Sequence, residues 1–229
     1  MNWGWFPEYL PLLLQGIWLT IQLLVLSMIF GFIIGIPVGL VQVTGPRWLA
    51  AIAKAYCTVM RGTPLLVQLW LLYFGLGSIF AAYPEIRQSS LWPILREGYF
   101  YAVLAFSINE GGYAGEIMRG AFLSVPKGEL EAGRAFGMSR WGVLSRIWFP
   151  RAVRNVLPTL AGETVLMLKA TPLAATVTVL DIFGVILRVR QNTYLTYEPL
   201  LVGAALYMVL TLIITQLFGR IESRVPSRR

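Results

Sequence analysis

The sequence contains no histidine and one cysteine, Cys57. The first absence removes imidazole as a base or metal ligand. The second removes an intrachain disulfide and any cysteine metal cluster. No GxxxxGKS or GxxxxGKT phosphate loop occurs, so a nucleotide site of that type is not expected on this chain. The scattered acidic residues form no paired constellation, which argues against a membrane enzyme. Charge itself is scarce, at 13% of 229 residues, and none lies between Glu8 and Arg47.

What fills the space is apolar. Hydrophobic residues make up 57% of the chain and mean hydropathy is +0.67. A bilayer core of about 30 Å takes about 20 apolar residues to span. Runs at about 12 to 41, 64 to 82, 99 to 118, 159 to 182 and 198 to 219 therefore predict an all-α integral membrane protein with five spans. The first run is long and punctuated by glycine, so a tilt or bend is expected near Gly31, Gly35 and Pro37. With its first charge at Glu8 and so long an apolar run, the N-terminus does not look like a cleaved signal peptide and is expected to be retained.

Net charge is +8, and the cations sort by loop. Arg47, Lys54 and Arg61, seven more between Arg119 and Arg154, and Arg220, Arg224, Arg228 and Arg229 give fourteen on one side. Four, Arg87, Arg96, Arg188 and Arg190, lie on the other, with Glu8, Glu85, Glu97, Asp181 and Glu198. The positive-inside rule then places the N-terminus outside and the C-terminus in the cytoplasm. This sorting accounts for the charge as topology, and no nucleic-acid partner is expected. Trp3, Trp5, Trp48 and Trp92 fall near span ends and are expected to anchor in the interface.

The predicted organisation is a short outer segment 1–11, a membrane domain 12–219 with a cytoplasmic loop 119–158, and a basic tail 220–229. The loop is too long for a simple connection. Val125-Pro126 marks the start of a helix, Gly137 offers a left-handed end to it, and Ser139 can cap a second helix that Pro150 should end or kink. Ala132, Ala135 and Phe136 form a small apolar face rimmed by charge, suited to a partner's groove. From these residues alone, an amphipathic helix on the membrane surface would fit as well.

Charged or amide groups inside spans are functional candidates by default. Asn109 and Glu110 lie in the third span; Glu163, Lys169 and Thr171 lie in the fourth. Pro172 should break the fourth span, which favours a midplane substrate site. Glu163 is the first choice to meet a basic side chain and Glu110 the second; alternatively, Glu163 pairs with Lys169. Thr63 and Pro64 read as the N-cap and first position of the second span.

The loop carries a more specific pattern. Glu131-Ala132-Gly133, then Gly137, then nine residues and Ile147-Trp-Phe149-Pro150 resemble the EAA motif of ABC importer permeases, E-A-A-x3-G-x9-I-x-L-P. Gly133 replaces the second alanine and Phe149 the leucine. Arg61-Gly-Thr-Pro-Leu-Leu-Val-Gln68, Tyr113-Ala-Gly-Glu116, Arg119-Gly-Ala121 and Ser124-Val-Pro-Lys-Gly128 resemble segments of permeases for histidine, arginine, lysine, ornithine and opines such as octopine or nopaline.

The resemblance implies a type-1 ABC importer membrane domain in the bacterial inner membrane. It implies Glu131, Ala132, Gly133, Gly137, Ile147 and Pro150 as the element coupled to an ATPase; the polar residues inside the spans, Glu163, Glu110, Asn109 and Thr171, are expected along the pathway on their own account. The implied partners are a second permease subunit, two ATP-binding subunits carrying ATP and Mg, a periplasmic binding protein, and an amino-acid or opine substrate. No cofactor is expected on this chain. An ion-coupled secondary carrier or exporter is the alternative. It leaves the motif spacing unexplained, and five spans without inverted duplication make a poor complete pathway.

Overall fold

A computed structural model describes residues 3–223, and these are helical apart from short connections. The expected tail residues Arg224, Arg228 and Arg229 lie outside the described residues. Helix α1 spans Phe6–Thr44, α2 Arg47–Gly62, α3 Leu65–Ala82 and α4 Gly98–Ser124. Two single turns, Pro84–Arg87 and Trp92–Leu95, precede α4. Helix α5 spans Lys127–Ala135, α6 Arg140–Val177, α7 Ile182–Thr193 and α8 Tyr197–Ser223.

By length and composition α1, α3 and α8 can each cross a bilayer, and α6 with α7, bent by 47° at their break, form a fourth candidate. Helix α4, where a span was expected, has the length, but Asn109, Glu110, Glu116 and Arg119 keep it below the same apolarity.

The chain forms two compact units. One takes the chain up to Ile29, Thr63–Ser107 and Thr164–Ile214; the other takes Phe30–Gly62, Ile108–Glu163 and the chain from Thr215.

In the first unit, Trp5, Leu13, Val185, Ile186 and Val189 make a buried cluster. Trp5 is thus a core residue at 5% exposure, stacked edge-on against Phe6 and Tyr9, and not the interface anchor its position suggested. The α-helical part of α6 gives way at Ala170 to a 3-10 turn, Thr171–Val177, where Pro172 was expected to break the span. Thr178 then takes a left-handed conformation, φ 69°, and Asp181 caps α7 by accepting from Gly184 N at 2.9 Å. Asp181 was expected in an outer loop; it is fully buried, and its other oxygen accepts from the Tyr207 hydroxyl at 3.0 Å. Thr20 completes the cap by accepting from Ile182 N at 3.1 Å.

The start of α3 also differs from expectation. Pro64, not Thr63, holds the cap position, and no side chain caps it. Thr63 Oγ1 instead accepts from Gln68 Nε2 at 2.6 Å.

In the second unit the glycines of α1 serve close packing, and the helix runs through them and Pro37 without interruption. A Cβ on Gly35 would lie 2.5 Å from Ala114 Cβ, one on Gly39 would lie 2.7 Å from Gly115 O, and Gly31 sits directly on the Glu110 side chain. Helix α4 returns the fit toward α2, where a Cβ on Gly112 would lie 2.6 Å from Met60 and one on Gly111 2.6 Å from the Tyr56 hydroxyl. Small residues at such seams let helices approach and gain dispersion contact in a solvent that offers no hydrophobic drive.

Candidate coupling surface and buried polar groups

The motif region folds as its local chemistry predicts. Pro126 occupies the N-cap position of α5. Gly137 ends the turn at φ 79°, a conformation that costs a glycine little and other residues more. Ser139 Oγ accepts from Gly142 N at 3.1 Å and starts α6.

Of the two outcomes expected at Pro150, an end or a kink, the helix does not end there. A π-turn, Leu144–Trp148, precedes it, and Phe149 N donates to Leu144 O, five residues back. The widened turn absorbs the missing proline donor, and α-helix continues from Phe149 to Ala170.

Tertiary contacts divide the motif into two sets. Gly133 is buried, and a Cβ there would lie 2.6 Å from Ile147 Cδ1. Leu130 and Val143 join Met118, Ala121, Phe122, Val125, Ala152 and Val156 in one apolar cluster. Trp148 Nε1 donates to Phe122 O at 2.8 Å, Asn155 Nδ2 to Ser124 Oγ at 2.9 Å, and Arg151 grips Glu129 through two bonds of 2.9 and 2.6 Å. The Arg151 guanidinium holds the Glu129 carboxyl below the usual glutamate value. Facing away from this packing, Glu131, Ala132, Arg134 and Ala135 are exposed, and Phe136 reaches 90% exposure. A large aromatic held open beside a folded turn is what a partner's groove would cover.

Sequence reasoning missed the Glu129–Arg151 clamp, whose members are 22 residues apart. It also missed Trp141, exposed at 73% beside the turn. The fold supplies both; no spacing rule would have found them.

Among the membrane candidates, Asn109 Nδ2 donates to Met60 O at 2.9 Å, and the neighbouring Ile108 carbonyl accepts from the Tyr56 hydroxyl at 2.5 Å. Glu110 is 2% exposed, and its Oε1 is buried without a hydrogen-bond partner. Glu163 is half-buried, within electrostatic reach of Glu110 and of Arg61. Arg61 lies over the Tyr113 ring at 5.7 Å. Glu163 makes no ion pair among the described residues. Thr171 belongs to the other unit, where it is fully buried: its hydroxyl donates to Leu168 O at 2.8 Å and meets the Tyr207 hydroxyl at 3.4 Å.

Residues 27–226 match the family described as the binding-protein-dependent transport system inner membrane component. The octopine transport system permease protein OccM of Rhizobium radiobacter is 39% identical over 218 residues, covering 95% of this chain and 87% of that protein. The histidine/lysine/arginine/ornithine permease HisM of Escherichia coli K12 is 33% identical over 211 residues, covering 91% and 87%. An amino acid ABC transporter crystallised with histidines superposes with a TM-score of 0.82 at 29% identity, covering 98% of this chain and 99% of that one. The MetNI methionine ABC transporter, at 19% identity and a TM-score of 0.78, shares the fold. The chain belongs to the family of binding-protein-dependent transport system inner membrane components, the permease subunits of ABC importers.

Proposed function

We propose that this chain is one of two permease subunits of an importer for amino acids, of the basic or opine class, that works by alternating access across the inner membrane. The observation that carries the reading is the division of the motif: Gly133 and Ile147 lock together inside, while Glu131, Ala132 and Phe136 stand outside. Such an element, gripped by a protein that changes shape with ATP, moves the helices behind it as bodies. ATP and Mg belong to two partner subunits, and a periplasmic binding protein delivers substrate. Similarity to octopine and basic amino-acid permeases supports the substrate class.

In this reading the membrane domain covers 12–219 with five spans, α4 being the third. The N-terminus is periplasmic, and both the tail and the coupling loop 119–158 are cytoplasmic. Glu163 and Glu110 meet the cationic end of the substrate, Asn109 fixes the backbone beside them, and Thr171 shapes the break in α6. An ion-coupled carrier would have no use for an exposed docking turn. The test is uptake in vesicles by the assembled complex. Uptake of arginine or octopine that requires ATP, and that stops when the ATPase subunit is catalytically dead, is expected. Uptake driven by an ion gradient with that dead subunit would overturn the reading.

A further inference from the structure

A cavity of about 430 Å3 opens among α1, α2 and α4. Its polar lining is Gln42, Arg47, Lys54, Glu116 and Arg119. Glu116 is the one carboxylate and is taken: Arg119 Nε donates to it at 2.8 Å. The Gln42 amide is turned to the Cys57 sulfur at 3.4 Å. Arg47 and Lys54 are in no ion pair among the described residues, and with Arg119 against Glu116 as the one carboxylate the cavity lining keeps a net positive charge.

We propose that this cavity holds the phosphate of an anionic phospholipid headgroup. Depth supports a lipid source. At about 1.5 Å per residue, the 39 residues of α1 extend about 58 Å, well beyond a hydrocarbon core of about 30 Å. The end of α1, followed at once by the first cations after Glu8, therefore reaches headgroup level. The shape of α2 supports it too. Arg47 and Lys54, seven residues apart, line the cavity with Ala50 and Ala51 between them. The adjoining stripe of the same helix presents Trp48, Ile52 and Val59 at 65, 59 and 52% exposure. A cationic stripe beside an apolar one places a phosphate and an acyl chain side by side, as interfacial helices do. A soluble anion would use the cations and leave the apolar stripe without a role. The proposal rests on membership of a membrane family and on this geometry, independently of substrate class.

The test uses the complete importer in nanodiscs of phosphatidylethanolamine, with and without phosphatidylglycerol, and counts retained phosphatidylglycerol by native mass spectrometry. The wild-type complex is expected to keep one phosphatidylglycerol per copy of this chain. The double variant Arg47→Gln, Lys54→Gln should retain it about thirtyfold less, in line with about 1 kcal/mol for each of the two cations at an anionic surface. The charge-keeping pair Arg47→Lys, Lys54→Arg should retain it, as should Arg87→Gln elsewhere. Unchanged retention in the neutral double variant overturns the proposal, and so does loss in the charge-keeping pair. Displacement of the lipid by inorganic phosphate at equal concentration overturns it in favour of a soluble-anion site. If the neutral variant does not assemble, photoactivatable phosphatidylglycerol on the wild-type complex decides: labelling of α2 supports the site, and labelling only elsewhere overturns it.

Discussion

Gly133 has no side chain where Ile147 Cδ1 comes within 2.6 Å of the place a Cβ would occupy. The family pattern carries alanine at that position; here the glycine lies at the contact between α5 and the π-turn of α6. The blocking atom is the far end of a flexible side chain. Gly133→Ala should therefore cost little, and Gly133→Leu should cost about 1–3 kcal/mol by overpacking. Thermal melting of the assembled complex checks this, and Ile147→Val should recover most of any loss in Gly133→Ala.

Glu131 is exposed on the same turn and makes no ion pair among the described residues. Glu131→Lys is expected to lower ATP-dependent uptake by about tenfold or more at normal expression, because reversing a charge at a desolvated contact costs several kcal/mol. Uptake and ATP hydrolysis measured together would show whether the two uncouple. Normal uptake would remove this residue from the contact.

The Glu129–Arg151 clamp gives the turn a pH dependence with a definite sign. Hydrogen bonds from Arg151 lower the Glu129 value in the folded protein from its usual 4.5. The stabilisation is therefore complete above pH 4.5 and is lost as pH falls through the lower folded value. Melting temperature against pH should bend downward in that range for the wild type. In Glu129→Gln this component of the bend should disappear.

Glu163, within reach of both Glu110 and Arg61, should act on substrate charge. Glu163→Gln is expected to raise the KM for arginine or histidine by about tenfold, the scale of a lost charged hydrogen bond, and to change that for glutamine much less. Transport assays with the cognate and a permissive binding protein compare them. Equal effects on all substrates would favour a structural role.

Gly98 tests the first unit alone. A Cβ there would be driven into the Val177 carbonyl oxygen, a backbone atom of the 3-10 turn with nowhere to move. Gly98→Ala should cost about 2 kcal/mol or more, seen as a lower unfolding midpoint in a detergent titration.

Much of the coupling turn was legible because its determinants are local. Gly137 and Ser139 act on backbone groups within three residues of themselves, and sequence spacing reports such effects directly. The clamp from Glu129 to Arg151 is set by a tertiary turn that spacing does not encode. Pro150 was expected to end or kink the helix; it does not end it, because the π-turn before it can accommodate a missing donor that an α-turn cannot. Asp181 and Trp5 were placed by the company of their neighbours at span ends, while the fold buries both. The glycines of α1 suggested bending; their partners, Glu110, Ala114 and Gly115, lie some eighty residues downstream, so close packing at those sites was invisible in the sequence.

That seam has an evolutionary consequence. Gly35 and Gly39 press on backbone atoms of Ala114 and Gly115, where no smaller residue on α4 can make room, whereas Gly111 and Gly112 face the side chains of Tyr56 and Met60, which a smaller residue could relieve. Such positions are closed to single-step drift. Gly35 and Gly39 should stay glycine in relatives that keep this fit, while Gly111 and Gly112 should enlarge only beside a smaller residue on α2.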